Sequence, residues 1–208
     1  MKKLTYIILI LNITICNIYS QKSNDFIKSG IKKQLEKNYK EAFVDFQKAI
    51  QLNPKNAEAY FLKAQICYKV ISPETARMIN MKLSDLNMSI ELNPNFVDAY
   101  LFRGIEKYEL EDYRGAISDY TKAIEISKNK FECFAYRGNA KWKLNNTSGA
   151  LEDYNKAIEI NPKYAFAYGL RGVLKYNLGL KEEACLDFSK AGELGNELSY
   201  DYIKQYCN

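Results

Sequence analysis

One spacing governs this chain: a set of small and aromatic residues returns every 34 positions. Between Val97 and Lys128, Tyr100, Gly104 and Tyr108, with Leu101 and Ile105, recur at steps of three and four, as one face of a helix requires. Ala116, Tyr120, Ala123 and Ile124 do the same, and Leu110 to Gly115 supplies the polar and glycine punctuation of a tight helix-helix turn. A shift of 34 lays Phe134, Gly138, Trp142, Ala150, Tyr154 and Ala157 on these positions, and a second shift lays Tyr168, Gly172, Tyr176, Ala184, Phe188 and Ala191 there. Upstream, Phe26, Gly30, Ala42, Phe46 and Ala49 keep the same internal spacing. One further copy, carrying Tyr60, Ala64 and Tyr68 and then Leu86 and Ser89, runs 40 residues from Pro54 to Pro94, so it holds six extra between its helices. Repetition of this kind predicts one elongated array in which each unit buries its apolar face on its neighbour.

The small residues carry the physical argument. Gly30, Gly104, Gly138 and Gly172 fall mid-helix, where glycine costs about 1 kcal/mol relative to alanine. A recurring cost needs a recurring reason, and close approach of a neighbouring helix supplies one. Tyr60, Tyr100, Phe134 and Tyr168 then fill the spaces between helices. A polar pattern runs in parallel: Arg103, Arg137 and Arg171 precede the glycines, Lys107, Lys141 and Lys175 follow one turn on, and Asp45, Asp85, Asp119, Asp153 and Asp187 recur in the second helices. The periodicity predicts charge pairs linking helices rather than a charged ligand site. Ser29 stands where arginine would in the first copy, so pairing of this form is not obligatory there.

The first 20 residues differ in kind. Lys2 and Lys3 precede a nearly continuous apolar run from Leu4 to Ile15, and Ser20 is a small residue before Gln21, the pattern of a secretory signal peptide over 1–20. The run is short for a membrane span and is broken by Asn12, Thr14 and Asn17; retention as an anchor and lipidation at Cys16 are the alternatives. The expected location is therefore periplasmic, cell-envelope or extracellular. Asn24 or Asp25 is expected to cap the first helix of the array, and Lys33 and Gln34 to make its outer face polar. Ser72-Pro73-Glu74 reads as the start of a lengthened second helix in the second copy. Leu198, Tyr202, Ile203 and Tyr206 predict a short capping helix.

Chemistry is scarce. With no histidine, the commonest base near neutral pH and the commonest metal ligand are missing. Cys67, Cys133, Cys185 and Cys207 lack metal-ligand spacing and read as buried thiols, with a Cys185–Cys207 pairing across the cap left open for an exported protein. No glycine-rich phosphate loop is present, and the net charge of +5 is too small, and too interspersed, to argue for nucleic acid. The expectation is a non-enzyme without metal or cofactor.

The period, the small residue at the helix crossing, the Ala-x3-aromatic-x2-Ala second helix and the closing Pro54, Pro94 and Pro162 resemble the tetratricopeptide repeat. The resemblance covers 23–198 in five copies, about 23–56, 57–96, 97–130, 131–164 and 165–198, with a capping segment at 199–208. It implies an all-α, right-handed α-solenoid of helix-turn-helix repeats whose first helices line a groove for a partner peptide or helix. Carried over, that groove is lined by Phe61, Gln65, Tyr68, Lys69, Leu101, Ile105, Tyr108, Asn139, Trp142, Val173 and Tyr176. Tyr68, Tyr108, Trp142 and Tyr176 would form an aromatic ladder, either open to the groove or packed on the second helices. Some family members grip a terminal carboxylate there, but Ile27, Ile31, Leu62, Asp98 and Phe102 stand at those positions, so that clamp is absent. The implied function is an exported scaffold or adaptor for a protein partner; the alternative is a structural subunit acting through its convex face or ends.

Overall fold

A computed structural model describes the backbone of residues 2–70 and 76–207 and the side chains of 14–70 and 78–207. Among these residues the chain is all helical: α1 Lys2–Leu35, α2 Tyr39–Leu52, α3 Ala57–Val70, α4 Ala76–Leu92, α5 Val97–Glu109, α6 Tyr113–Ile126, α7 Phe131–Lys143, α8 Thr147–Ile160, α9 Ala165–Asn177, α10 Lys181–Glu193 and α11 Glu197–Tyr206. They fall into two compact units, 1–99 and 100–208.

In the first unit α1 packs on α2, α2 on α3, and α3 on α4. The described side chains of α1 start at Thr14. Thr14 to Tyr19 are exposed, whereas Ser23 is fully buried and its hydroxyl donates to the Ala49 carbonyl at 2.9 Å. No described helix is long and apolar enough to cross a membrane. Two expectations fail here. Asn24 and Asp25 cap nothing, because α1 runs unbroken through them, so the N–H groups they would have capped already bond within the helix. Lys33 does not serve as polar exterior: its ammonium sits 2.7 Å from Asp45. The proposed helix start at Ser72-Pro73-Glu74 lies outside the described residues; α4, at 17 residues, is three longer than α2, α6 and α8.

In the second unit the order α6, α7, α8, α9, α10, α11 is also the packing order. The reason for the mid-helix glycines is direct. A Cβ on Gly104 would lie 2.5 Å from the Tyr120 ring, one on Gly138 2.7 Å from Tyr154, and one on Gly172 2.7 Å from Phe188. Each second-helix aromatic lies against the bare backbone of the first helix, and Tyr120, Tyr154 and Phe188 are fully buried there. The turns repeat too. Glu111, Asn145 and Gly179 all take positive φ, and the next residue's N–H returns to the carbonyl of Lys107, Lys141 or Lys175. That closes the first helix in the left-handed manner that glycine adopts freely and other residues adopt at a cost. Asp112 and Asn146 then cap the second helices by accepting from Gly115 and Gly149.

Helix α11 covers α10 and α9 as the expected cap. Tyr202 stacks on Phe188 at 5.0 Å, Tyr206 lies 4.3 Å from Tyr176, and a Cys185–Cys207 disulfide ties the cap to α10. Leu198, expected on the covered face, is 67% exposed, because Asn196 caps the helix at Ser199 and turns Leu198 outward.

Candidate functional site

The periodic charges are internal fasteners. In the second unit each buried aspartate accepts a bidentate arginine from the first helix of its own repeat, at 2.9 and 2.6 Å for Arg103–Asp119, 3.0 and 2.7 Å for Arg137–Asp153, and 2.9 and 2.6 Å for Arg171–Asp187. Lys107, Lys141 and Lys175 add a second cation to the same carboxylates. The planar guanidinium explains the preference for arginine: its fork matches both carboxylate oxygens while its face lies over Tyr100, Phe134 or Tyr168 three residues earlier. Arg137 also donates to Thr121, and Arg171 to Asn155, one repeat back. These charges have their partners inside the fold.

The first unit is less uniform. Burial alone would push the Asp45 carboxyl up, but hydrogen bonds from Lys33 and Ser29 and the lysine charge hold it below its ordinary 3.8. Asp85 has only Lys63, at 2.9 Å, and its other oxygen has no partner among the described residues; burial wins and its carboxyl is pushed up.

The predicted groove residues fall into three groups. Phe61 and Leu101 are buried, Phe61 against Phe96 at 4.9 Å. Asn139 accepts the Tyr154 hydroxyl at 2.7 Å, Tyr108 meets Tyr113 edge-on at 5.2 Å, and Trp142 packs against Ala150, Tyr154 and Leu174, so these three lean on second helices. The remainder face outward to differing degrees. Ile105 and Val173 are half-buried, Gln65 is half-buried and accepts from Gln34 at 3.2 Å, and Tyr176 is 36% exposed beside Tyr206. Tyr68 is 48% exposed, with the Lys69 ammonium 4.7 Å from its ring centre. The ladder therefore splits, because an aromatic side chain reaches whichever second helix leaves it room, and the residues opposite differ between repeats.

One cluster on α7 and α9 escaped the sequence reading. Phe131, Tyr164, Phe166 and Tyr136 form a run of rings with successive centres 4.8, 5.9 and 6.0 Å apart. Burial pushes the Tyr136 and Tyr164 phenols up, and the nearby Glu132 carboxylate adds to it. Glu132, Tyr136 and Asn139 are spaced i, i+4, i+7 on one face of α7, and Phe166 and Val173 are spaced i, i+7 on α9. The available signal was Phe131 and Tyr164, for which a shift of 34 in either direction finds no aromatic.

The described residues contain no group of three or more His, Cys, Asp or Glu placed to hold a metal. Paired helices closed by the same turn, fastened by the same ion pair and stacked on their neighbours define a helical-repeat solenoid protein. The chain belongs to the tetratricopeptide-repeat family. Family profiles match at 97–130 and 45–78 (Tetratricopeptide repeat) and at 138–179 (TPR repeat). No curated protein is significantly similar in sequence. Among solved structures, MamA is 23% identical, with a TM-score of 0.67 over 82% of this chain and 96% of its own. PilF of Pseudomonas aeruginosa is 15% identical, with a TM-score of 0.74 over 85% and 78%. YrrB, described as a TPR protein with an unusual peptide-binding site, is 19% identical, with a TM-score of 0.65 over 86% and 90%. At these identities the likeness is one of fold. Proteins of this family generally mediate protein–protein interactions.

Proposed function

We propose that this chain is an exported adaptor whose first-helix faces hold a segment of a partner protein. The observation that carries the reading is a division of labour within each repeat. The charged side chains that could have served a ligand are consumed by buried pairs within the fold, whereas Ile105, Val173 and Tyr176 leave apolar surface open on first helices of the second unit, as Tyr68 does by itself in the first. Aromatic and aliphatic anchors of that kind concentrate binding energy. Peptide binding by the similarly folded YrrB is in keeping with this. Export is supported by the leader pattern, by the exposure of Thr14 to Tyr19 just ahead of buried Ser23, and by a disulfide, which persists in oxidising compartments.

The test pairs crosslinking capture from cell-envelope extract with a Tyr68→Ala/Ile105→Ser/Val173→Ser variant of equal helicity. Specific loss of the captured partner is expected, and undiminished capture would overturn the groove reading. Mass measurement of the native N-terminus is expected to show Gln21; an intact leader on all of the protein would overturn export by cleavage. A second reading, assembly through the ends, draws on Leu186, Leu198 and Tyr200, which are 72%, 67% and 59% exposed on α10 and α11. It predicts a molecular size that grows with concentration.

A further inference from the structure

The Phe131–Tyr164–Phe166–Tyr136 cluster differs from an ordinary core patch in having a carboxylate within it. Glu132 lies on α7 between Phe131 and Tyr136, and one of its oxygens, Oε2, is buried without a hydrogen-bond partner among the described residues. Oε1 lies a loose 3.8 Å from the Lys130 ammonium, and the side chain as a whole is 29% exposed. A buried anionic oxygen left unpaired is costly, and folding retains one only where something offsets the cost. The Tyr136 and Tyr164 phenols both feel the charge of this carboxylate, and the faces of aromatic rings such as those of this cluster attract cations. Phe166, 37% exposed, is the ring that opens the cluster to solvent.

We infer that Glu132 with Phe131, Tyr136, Tyr164 and Phe166 forms a pocket for a basic side chain, an arginine or lysine, of the bound partner segment. The cation would give Oε2 the charged donor it lacks while lying against the rings, and arginine suits both tasks because its plane stacks on aromatics as its edge donates. The inference rests on the groove reading, since Phe166 shares a face of α9 with the outward-facing Val173, and it adds the partner's chemistry: a basic residue flanked by apolar ones.

The test is an aromatic NMR titration of the full chain with N-acetyl-arginine amide, against N-acetyl-citrulline amide as the neutral isostere. Saturable shifts at Tyr136, Tyr164 and Phe166 are expected with arginine, and about tenfold weaker binding with citrulline or in Glu132→Gln. Absence of saturable shifts, or equal binding of the two probes, or an unchanged affinity in Glu132→Gln, each overturns the pocket. These small probes report on this cluster alone. Partner capture that depends on Tyr68 and Ile105 can therefore survive a negative titration, and a positive titration can stand beside failed capture.

Discussion

The helix pairs α3–α4 and α7–α8 occupy one register and are fastened differently. In α7–α8, Gly138 lies under the Tyr154 ring, and Arg137 and Lys141 both bind Asp153. In α3–α4 the same positions hold Ala64, Leu86, Lys63 and Cys67, and among the described residues Asp85 meets one cation and keeps one oxygen without a partner. The changes are linked. A smaller partner at Leu86 frees the space that a methyl group at Ala64 uses, and a thiol at Cys67 removes the second cation. The difference teaches that the repeat is a set of coupled choices: what one helix adds, the other must give up, and the pair nearest the six-residue insertion carries the weaker fastening.

That comparison can be broken most sharply at the aspartates. Asp153→Ala strands Arg137 and Lys141 in a largely buried site and is expected to cost about 3 kcal/mol. Asp85→Ala, removing a carboxylate that burial already penalises, should cost about 1 kcal/mol. Denaturant midpoints read both, and equal losses would show that the two pairs are fastened alike. Next come the small residues. Gly138→Ala pushes a methyl into the Tyr154 ring and should cost about 2 kcal/mol, with part recovered in Gly138→Ala/Tyr154→Leu. Ala64→Gly should cost only the helix propensity, about 1 kcal/mol; a larger loss there than at Gly138 would refute the coupling.

The smallest effect is one of sign with pH. Asp45 is held below its ordinary 3.8, so its contribution is present above that value and is lost as pH falls through the folded pKa. Asp85 is raised, so its contribution is complete below 3.8 and is lost as pH rises through the folded pKa. Stability measured across mild acid in Asp45→Asn and Asp85→Asn should therefore depart from the parent with opposite slopes. Matching slopes would mean that the two carboxylates share one environment.

Much of this was legible in the residues. The 34-residue period set the helices, the glycines announced the close crossings, and the Arg-to-Asp spacing foretold the fasteners, because each is a local constraint repeated until chance is excluded. Lys33 was misread for want of the same attention: it stands at the register of Lys107, Lys141 and Lys175, and comparison across repeats would have paired it with Asp45. The candidate site was less legible, since whether Tyr108 or Trp142 opens to solvent depends on what the second helices offer opposite it.

Sequence by itself determined the repeat and the arginine–aspartate pairs that hold its later copies, since these follow from spacing along one chain. Tertiary structure decided which aromatics are spent on packing and that Cys185 meets Cys207. It also gathered Phe131, Glu132, Tyr136, Tyr164 and Phe166 into one cluster. The physical reason is that burial and proximity belong to pairs of helices, and residues 22 or more apart in sequence, as Cys185 and Cys207 are, share an environment only once those helices have docked.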